Sequence, residues 1–258
     1  MAPAFRLSTR LAASENMSQY TVDFSAERAG LQRLHFLPAF NFGFDLLTAH
    51  AELKVHGDTV TWEPQGVKGH DPRLRGKENK SSRSATPSPS KTPANRAGRE
   101  RFTGDSYTVL GDQEIAGGCH YWELRPVLDW KSFSVGVAYR ASLGRFDQLG
   151  KNGGSWCLHA SQWLQTSLSV KHNNRAKALD WPLPQRIGIY CDGGNGDLIF
   201  IDVDRLRLLH AFKTKFNQPL VPAFTVWCGG ITVTTGLQVP SFMGNFLSTS
   251  RSLSSLSQ

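Results

Sequence analysis

The chain has 258 residues, 40% of them hydrophobic, which is enough for one large or two small domains with a buried core. Seven Trp, fifteen Phe and twenty-four Gly lean toward β-structure, and apolar runs of only a few residues exclude a membrane-spanning helix. The net charge of +8 invites a nucleic-acid reading, but residues 68–101 hold ten Lys/Arg and three Asp/Glu, leaving 19 basic and 18 acidic residues elsewhere. No basic folded face for gripping DNA is therefore expected.

In chain order, MAPAFRLSTRLAAS opens a 39-residue segment that reads as a poorly structured tail. From Phe40 the pattern becomes short β-type runs between turn signals. AELKVHG alternates around Leu53 and Val55, and DTVTWEP comes after the two-residue turn Gly57-Asp58, so the pair predicts a hairpin. The stretch Lys77–Glu100 has no aromatic residue and no Leu, Ile or Val, and it carries three Ser/Thr-Pro pairs. It reads as a disordered basic segment. After it come SYTVLGD, HYWELRPV, SFSVGVAY, SWCLHA, SLSVKHN, RIGIYCD, DLIFIDV, LLHAF, LVPAFTVW and ITVTTGL. LPAFNFGFDLL and RASLGRFDQLG are the places where a short helix or turn fits, and the last eighteen residues, with seven Ser, are expected to be disordered.

This pattern predicts an all-β, antiparallel two-sheet β-sandwich. Two strands before the basic segment cannot bury a core alone, so they must pack on the ten runs after it. One domain is therefore expected over residues 40–240, divided into 40–70, a disordered insertion 71–101 and 102–240, with a disordered tail 241–258. Loop closure costs grow only logarithmically with length, so a sandwich tolerates such an insertion.

Chemistry-bearing motifs are sparse. Cys119, Cys157, Cys191 and Cys228 lie more than thirty residues apart, without a C-x-x-C pair, and are expected as free thiols. CDGGNGD lacks the G-K-[ST] of a phosphate loop and the ligand spacing of a calcium loop, so it reads as a β-turn. Cys119 and His120 are strand neighbours and point to opposite faces. Cys157 and His159 share a face, but a half-buried strand produces that by default. No enzyme, cofactor or metal is expected.

Six ordered phrases carry a family resemblance. FDLLTAHAELKVHGDTVTW keeps the Thr48-Ala49-His50 of a PRY opening, and GGCHYWELRP keeps Trp122-Glu123 of the W-E-V-E strand. SFSVGVAY, NGGSWCLHA, RIGIYCDGGNGDLIFID (with Asp192, Gly196, Leu198 and Phe200) and LVPAFTVWCGGITVTT come next in the same order. Together they resemble the PRY–SPRY (B30.2) domain. The wording SATPSPSKTPANRAGRERF and the Ser-rich end are similar to fibronectin type III and SPRY domain-containing proteins. In that family a coiled coil, a microtubule-associated COS box and a fibronectin domain precede the SPRY region. None fits in the 39 residues before Phe40, so the chain reads as a short form or fragment, and no oligomeric state follows.

The resemblance implies a non-enzymatic module that binds a peptide or protein partner through the loop end of the sandwich, with tubulin or a centrosomal protein as partner. Its place would be the cytoplasm and the cytoskeleton at the microtubule-organising centre, with the nucleus as the alternative. In some SPRY domains a V-W-x-G stretch lines the pocket, which carries over to Trp227. Trp130 and Trp163 sit at strand ends or in loops, where Trp anchors partners as readily as it packs at a core edge. KHNNRAK, with Lys171 and Asn173, forms either a loop rim or a solvated hairpin. In the insertion, Thr86, Ser88 and Thr92 precede proline and are candidate phosphorylation sites, while Lys77, Lys80, Arg83, Lys91 and Arg96 offer an electrostatic contact. The second reading is a nucleic-acid or other polyanion binder that uses this insertion.

Overall fold

The period-two runs fold as strands of two antiparallel sheets, bearing out the sandwich expectation. The computed structural model describes residues 39–64, 106–127, 129–144 and 146–248. Its strands are β1 (Phe44–Asp45), β2 (Leu53–His56), β3 (Thr59–Trp62), β4 (Thr108–Gly111) and β5 (Cys119–Val127). Next come β6 (Ser132–Tyr139), β7 (Ser155–Ser161), β8 (Ser167–His172), β9 (Arg175–Ala178) and β10 (Ile187–Asp192). β11 (Asp197–Asp202), β12 (Arg207–Lys213), β13 (Leu220–Trp227) and β14 (Gly230–Thr234) complete the set. The first sheet runs β1-β4-β13-β6-β7-β8-β9 and the second β12-β11-β10-β5-β14-β3-β2.

The segments on either side of residues 65–105 belong to one sandwich. β1 pairs with β4 through Phe44↔Gly111, and β3 pairs with β14 through Val60↔Ile231. Arg140, in the 3-10 turn Arg140–Ser142, donates to Asp45 Oδ2 at 2.8 Å and fastens the β1 edge. Turn chemistry fixes the hairpin registers. Gly57 takes φ +58 between His56 and Thr59, and Asn173 and Asn174, at φ 49 and 56, supply the two left-handed positions of a two-residue turn between β8 and β9.

Between the sheets the inward side chains of both close into one core around Trp122, Phe133, Phe200 and Phe224, all buried. Each buried Phe contributes roughly 1.5–3 kcal/mol relative to an exposed one. β10 and β11 are buried on both faces, which is why IGIY and LIFI read as continuous apolar runs rather than alternating ones.

The outer face of β10–β11 is covered by a segment expected to be disordered. Residues 243–248 are helical, Met243 is fully buried, and Phe242, Phe246 and Leu247 pack with it over Tyr121, Tyr190, Ile199 and Ile201. Apolar spacing within the Ser-rich end outweighs its composition there. β9 was also hidden, because RAKA has no apolar alternation; its register comes from the Asn-Asn turn and from pairing with β8. The basic insertion, including Lys77, Lys80, Arg83, Lys91, Arg96, Thr86, Ser88 and Thr92, lies outside the described residues.

Candidate functional site

Strand pleating sends alternate residues of the first sheet away from the core. On the outer face the registers Thr225↔Thr108, Thr225↔Ser134, Ser134↔His159 and His159↔Ser169 form one polar row across β4, β13, β6, β7 and β8. Thr108 and Thr225 share a hydroxyl hydrogen bond of 3.1 Å, and Ser134 Oγ and His159 Nδ1 share one of 2.9 Å. Thr225, Ser134 and His159 of this row floor a hollow of about 280 Å³. Trp227 and Tyr107 stand at its sides, Gln148 and Leu149 lean in from the loop before β7, and Lys171 enters from β8. His50 stacks edge-on against Tyr107, with ring centres 4.8 Å apart, so the Thr-Ala-His phrase braces one wall.

The five sequence candidates separate. Trp227 and Lys171 both line the hollow. Trp163, in the β7–β8 loop, packs on Trp227 with ring centres 4.6 Å apart and stays 56% exposed beside an exposed Leu164. Trp130 lies elsewhere: its ring packs on Phe133 at 4.8 Å as part of the core edge, so it is not a partner anchor at this hollow. Asn173 occupies the exposed turn of the β8–β9 hairpin and does not line the hollow. The site also differs in place from the expected loop end, because strand side chains on the sheet face make its floor. Sequence reasoning missed Ser134 and Thr225, although the period-two Ser132-x-Ser134 of SFSVGVAY was a readable sign of a solvent-side face.

Electrostatics distinguish the lining groups. Burial, and next the positive charge of Lys171, lower the His159 pKa to about 4, so the imidazole is neutral near pH 7. Burial also lowers the pKa of Lys171, with Lys151 adding to the effect. The loop above Lys171 is close: Gly150 takes φ +84, and a Cβ there would meet Lys171 Cβ at 2.6 Å.

The thiols are held protonated. Burial raises Cys157 to about 12, and its Sγ donates to Leu149 O at 3.5 Å rather than meeting His159. Burial raises Cys119 to about 11, with Tyr190 and Asp192 as its hydrogen-bond partners. The turn CDGGNGD is closed on itself: Asp192 Oδ1 accepts from the Gly194 and Asn195 amides at 3.1 and 2.8 Å. Among the described residues no cluster of three or more His, Cys, Asp or Glu is arranged to hold a metal, and no helix is long and apolar enough to cross a membrane.

Two histidines set an acid limit on stability. His210, like His159, is lowered from 6.5 to about 4, by burial first and then by Lys177. Between pH 6.5 and 4 the unfolded chain binds protons that the folded chain refuses, so stability falls as pH falls through that window. Thermal melts at pH 7, 5.5 and 4.5 should show Tm decreasing, with a shallower decrease in His159→Gln. A Tm independent of pH from 7 to 4.5 would contradict the buried, neutral state of both rings.

Residues 119–238 match the family model described as SPRY domain. The probable E3 ubiquitin-protein ligase MID2 of Mus musculus is 34% identical over 148 residues, covering 56% of this chain and 20% of that protein. The chain thus spans about one fifth of the length of that curated relative. Among solved structures, the TRIM65 PSpry domain superposes with a TM-score of 0.54 at 25% identity, covering 82% of this chain and 96% of that one. Stonustoxin superposes with a TM-score of 0.52 at 25% identity, over 76% of this chain and 28% of its own. The sandwich, its strand order and these matches give one conclusion: residues 119–238 are similar to a SPRY domain, set in a PRY–SPRY-like fold.

Proposed function

We propose that this chain is a non-enzymatic interaction module that docks a peptide segment of a protein partner on the outer face of the first sheet. The observation that carries this reading is the hollow itself: a polar floor of Thr225, Ser134 and His159 beside the paired rings of Trp227 and Trp163. A few fixed polar groups next to exposed aromatic area suit peptide recognition. The thiols near the face are protonated and supply no activated nucleophile.

The finer reading places the module at microtubules or the centrosome in the cytoplasm, with tubulin or a centrosomal protein as partner. It rests on the resemblance of the insertion and the Ser-rich end. The insertion would act as a second contact. Between Lys77 and Arg101 seven Lys/Arg face two Asp/Glu, a surplus of +5 that attracts acidic surfaces. Phosphates on Thr86, Ser88 and Thr92 would add about −1.5 to −2 each, together roughly cancelling it. The described chain resumes at Ser106, which lines the hollow.

The test compares partner recovery by the intact chain, by a deletion of residues 77–100 and by Trp227→Ala. Docking on the sheet face should survive the deletion and weaken about 30-fold in Trp227→Ala, the loss expected for an aromatic hot spot. Loss on deletion, a steep salt dependence and indifference to Trp227→Ala would instead establish the polyanion-binding alternative.

A further inference from the structure

Lys171 is the charged residue among those lining the hollow, and the residue as a whole is half-buried. Among the described residues no carboxylate lies within ion-pair distance of it, whereas Arg140, Arg186, Arg205 and Lys213 each have an acidic partner. A partly buried ammonium without a carboxylate partner is a cost that the fold bears unless something else supplies the counter-charge. The neighbouring charge makes this worse, since Lys151 repels it. His159 does not help, because its neutral ring adds no negative charge.

The remaining groups define what would fit. Ser134, Thr225 and Gln148 bring hydroxyl and amide donors to the same hollow, a set that complements a carboxylate as it docks on an ammonium. At the other end Trp227 and Trp163 present joined rings, extended by Leu164, which is 92% exposed. A wholly apolar ligand would cover Lys171 without neutralising it, and a basic one would be repelled.

The registers set the spacing. Lys171 aligns through Cys157 and Gly136 with Ala223, four residues before Trp227 on β13, and β8 lies three strands from β13. With strands about 4.8 Å apart and a rise of about 3.3 Å per residue, the two Cα atoms are separated by about 19 Å. An extended peptide covers that in about six residues, fewer once the Lys and Trp side chains reach inward.

We propose, building on the docking reading above, that the hollow selects peptide segments in which an Asp or Glu lies within about six positions of an aromatic or large aliphatic residue. The carboxylate neutralises Lys171, and the apolar side chain seats on Trp227 and Trp163. No covalent step is involved.

The probe is a displayed library of random twelve-residue peptides panned on the full chain, followed by titration of synthetic copies. Enriched sequences should carry an acid within about six positions of an apolar anchor. Changing that acid to its amide should weaken binding roughly 30-fold to the intact chain and little to Lys171→Met, the pattern of a coupled charge pair. The amide arm uses the intact chain, so it decides the matter even if Lys171→Met folds poorly. Peptides that need Trp227 but lack an acid, or bind the amide form equally well, overturn this selectivity and leave sheet-face docking standing. Enrichment that yields no peptide sensitive to Trp227→Ala overturns the docking reading itself, and the selectivity falls with it.

Discussion

Replacing Gly136 by alanine is expected to lower the unfolding free energy by about 3 kcal/mol or more. Gly136 sits mid-strand in β6, where a Cβ would lie 2.0 Å from Trp156 O and 2.8 Å from Cys157 Cα. Both are backbone atoms of β7, so no rotamer change relieves the clash, and the two strands must part. Those strands carry Ser134 and His159 two register pairs away, so a shift there also disturbs the floor of the hollow. Urea denaturation should show a lower midpoint with an unchanged slope. Gly57→Ala is the contrast: φ is +58, but nothing lies within 4 Å of the added methyl, and the strain costs only about 1–2 kcal/mol. If the two variants lose equal stability, the close approach of β6 and β7 is not a property of the folded chain.

Much of the fold was legible because its signals are local. Short β-type runs between turn signals marked ten strands, the Gly57-Asp58 turn marked a hairpin, and a two-strand fragment that cannot stand alone had to join the later strands. The hidden parts depend on partners. Pairing makes RAKA a strand, and contact with Tyr190 and Ile199 makes residues 243–248 part of the fold despite their serine-rich setting. The site was legible only in its aromatic members and Lys171. Trp227 announced itself by phrase, but Thr108, Ser134, His159 and Thr225 come from four strands. Two of their contacts, β4–β13 and β13–β6, join strands far apart in sequence. Side-chain alternation says that each leaves the core, while only register says that they meet. Trp130 shows the converse: a loop Trp with an interface-like setting whose ring turns inward to Phe133.

Thr225→Trp is expected to weaken docking more than 100-fold while leaving the fold intact. Thr225 lies at the centre of the polar row, half-buried, with Thr108 on one side and Ser134 on the other. An indole there occupies the space a peptide side chain needs, and Trp is well accommodated in strands. The flanking core residues Phe224 and Val226 point the other way and keep their packing. Tm should therefore move by only a few degrees, with binding lost far beyond that change. Equal losses of stability and binding would make this a folding defect instead.

The most direct measurement is backbone hydrogen exchange of the intact chain, with and without a panned peptide whose binding requires Trp227. Added protection is predicted in 106–110, 132–136, 148–161 and 223–227, the segments around the hollow, and should vanish in Thr225→Trp. Protection that instead gathers on β10–β12, on the opposite sheet, would contradict docking at this face.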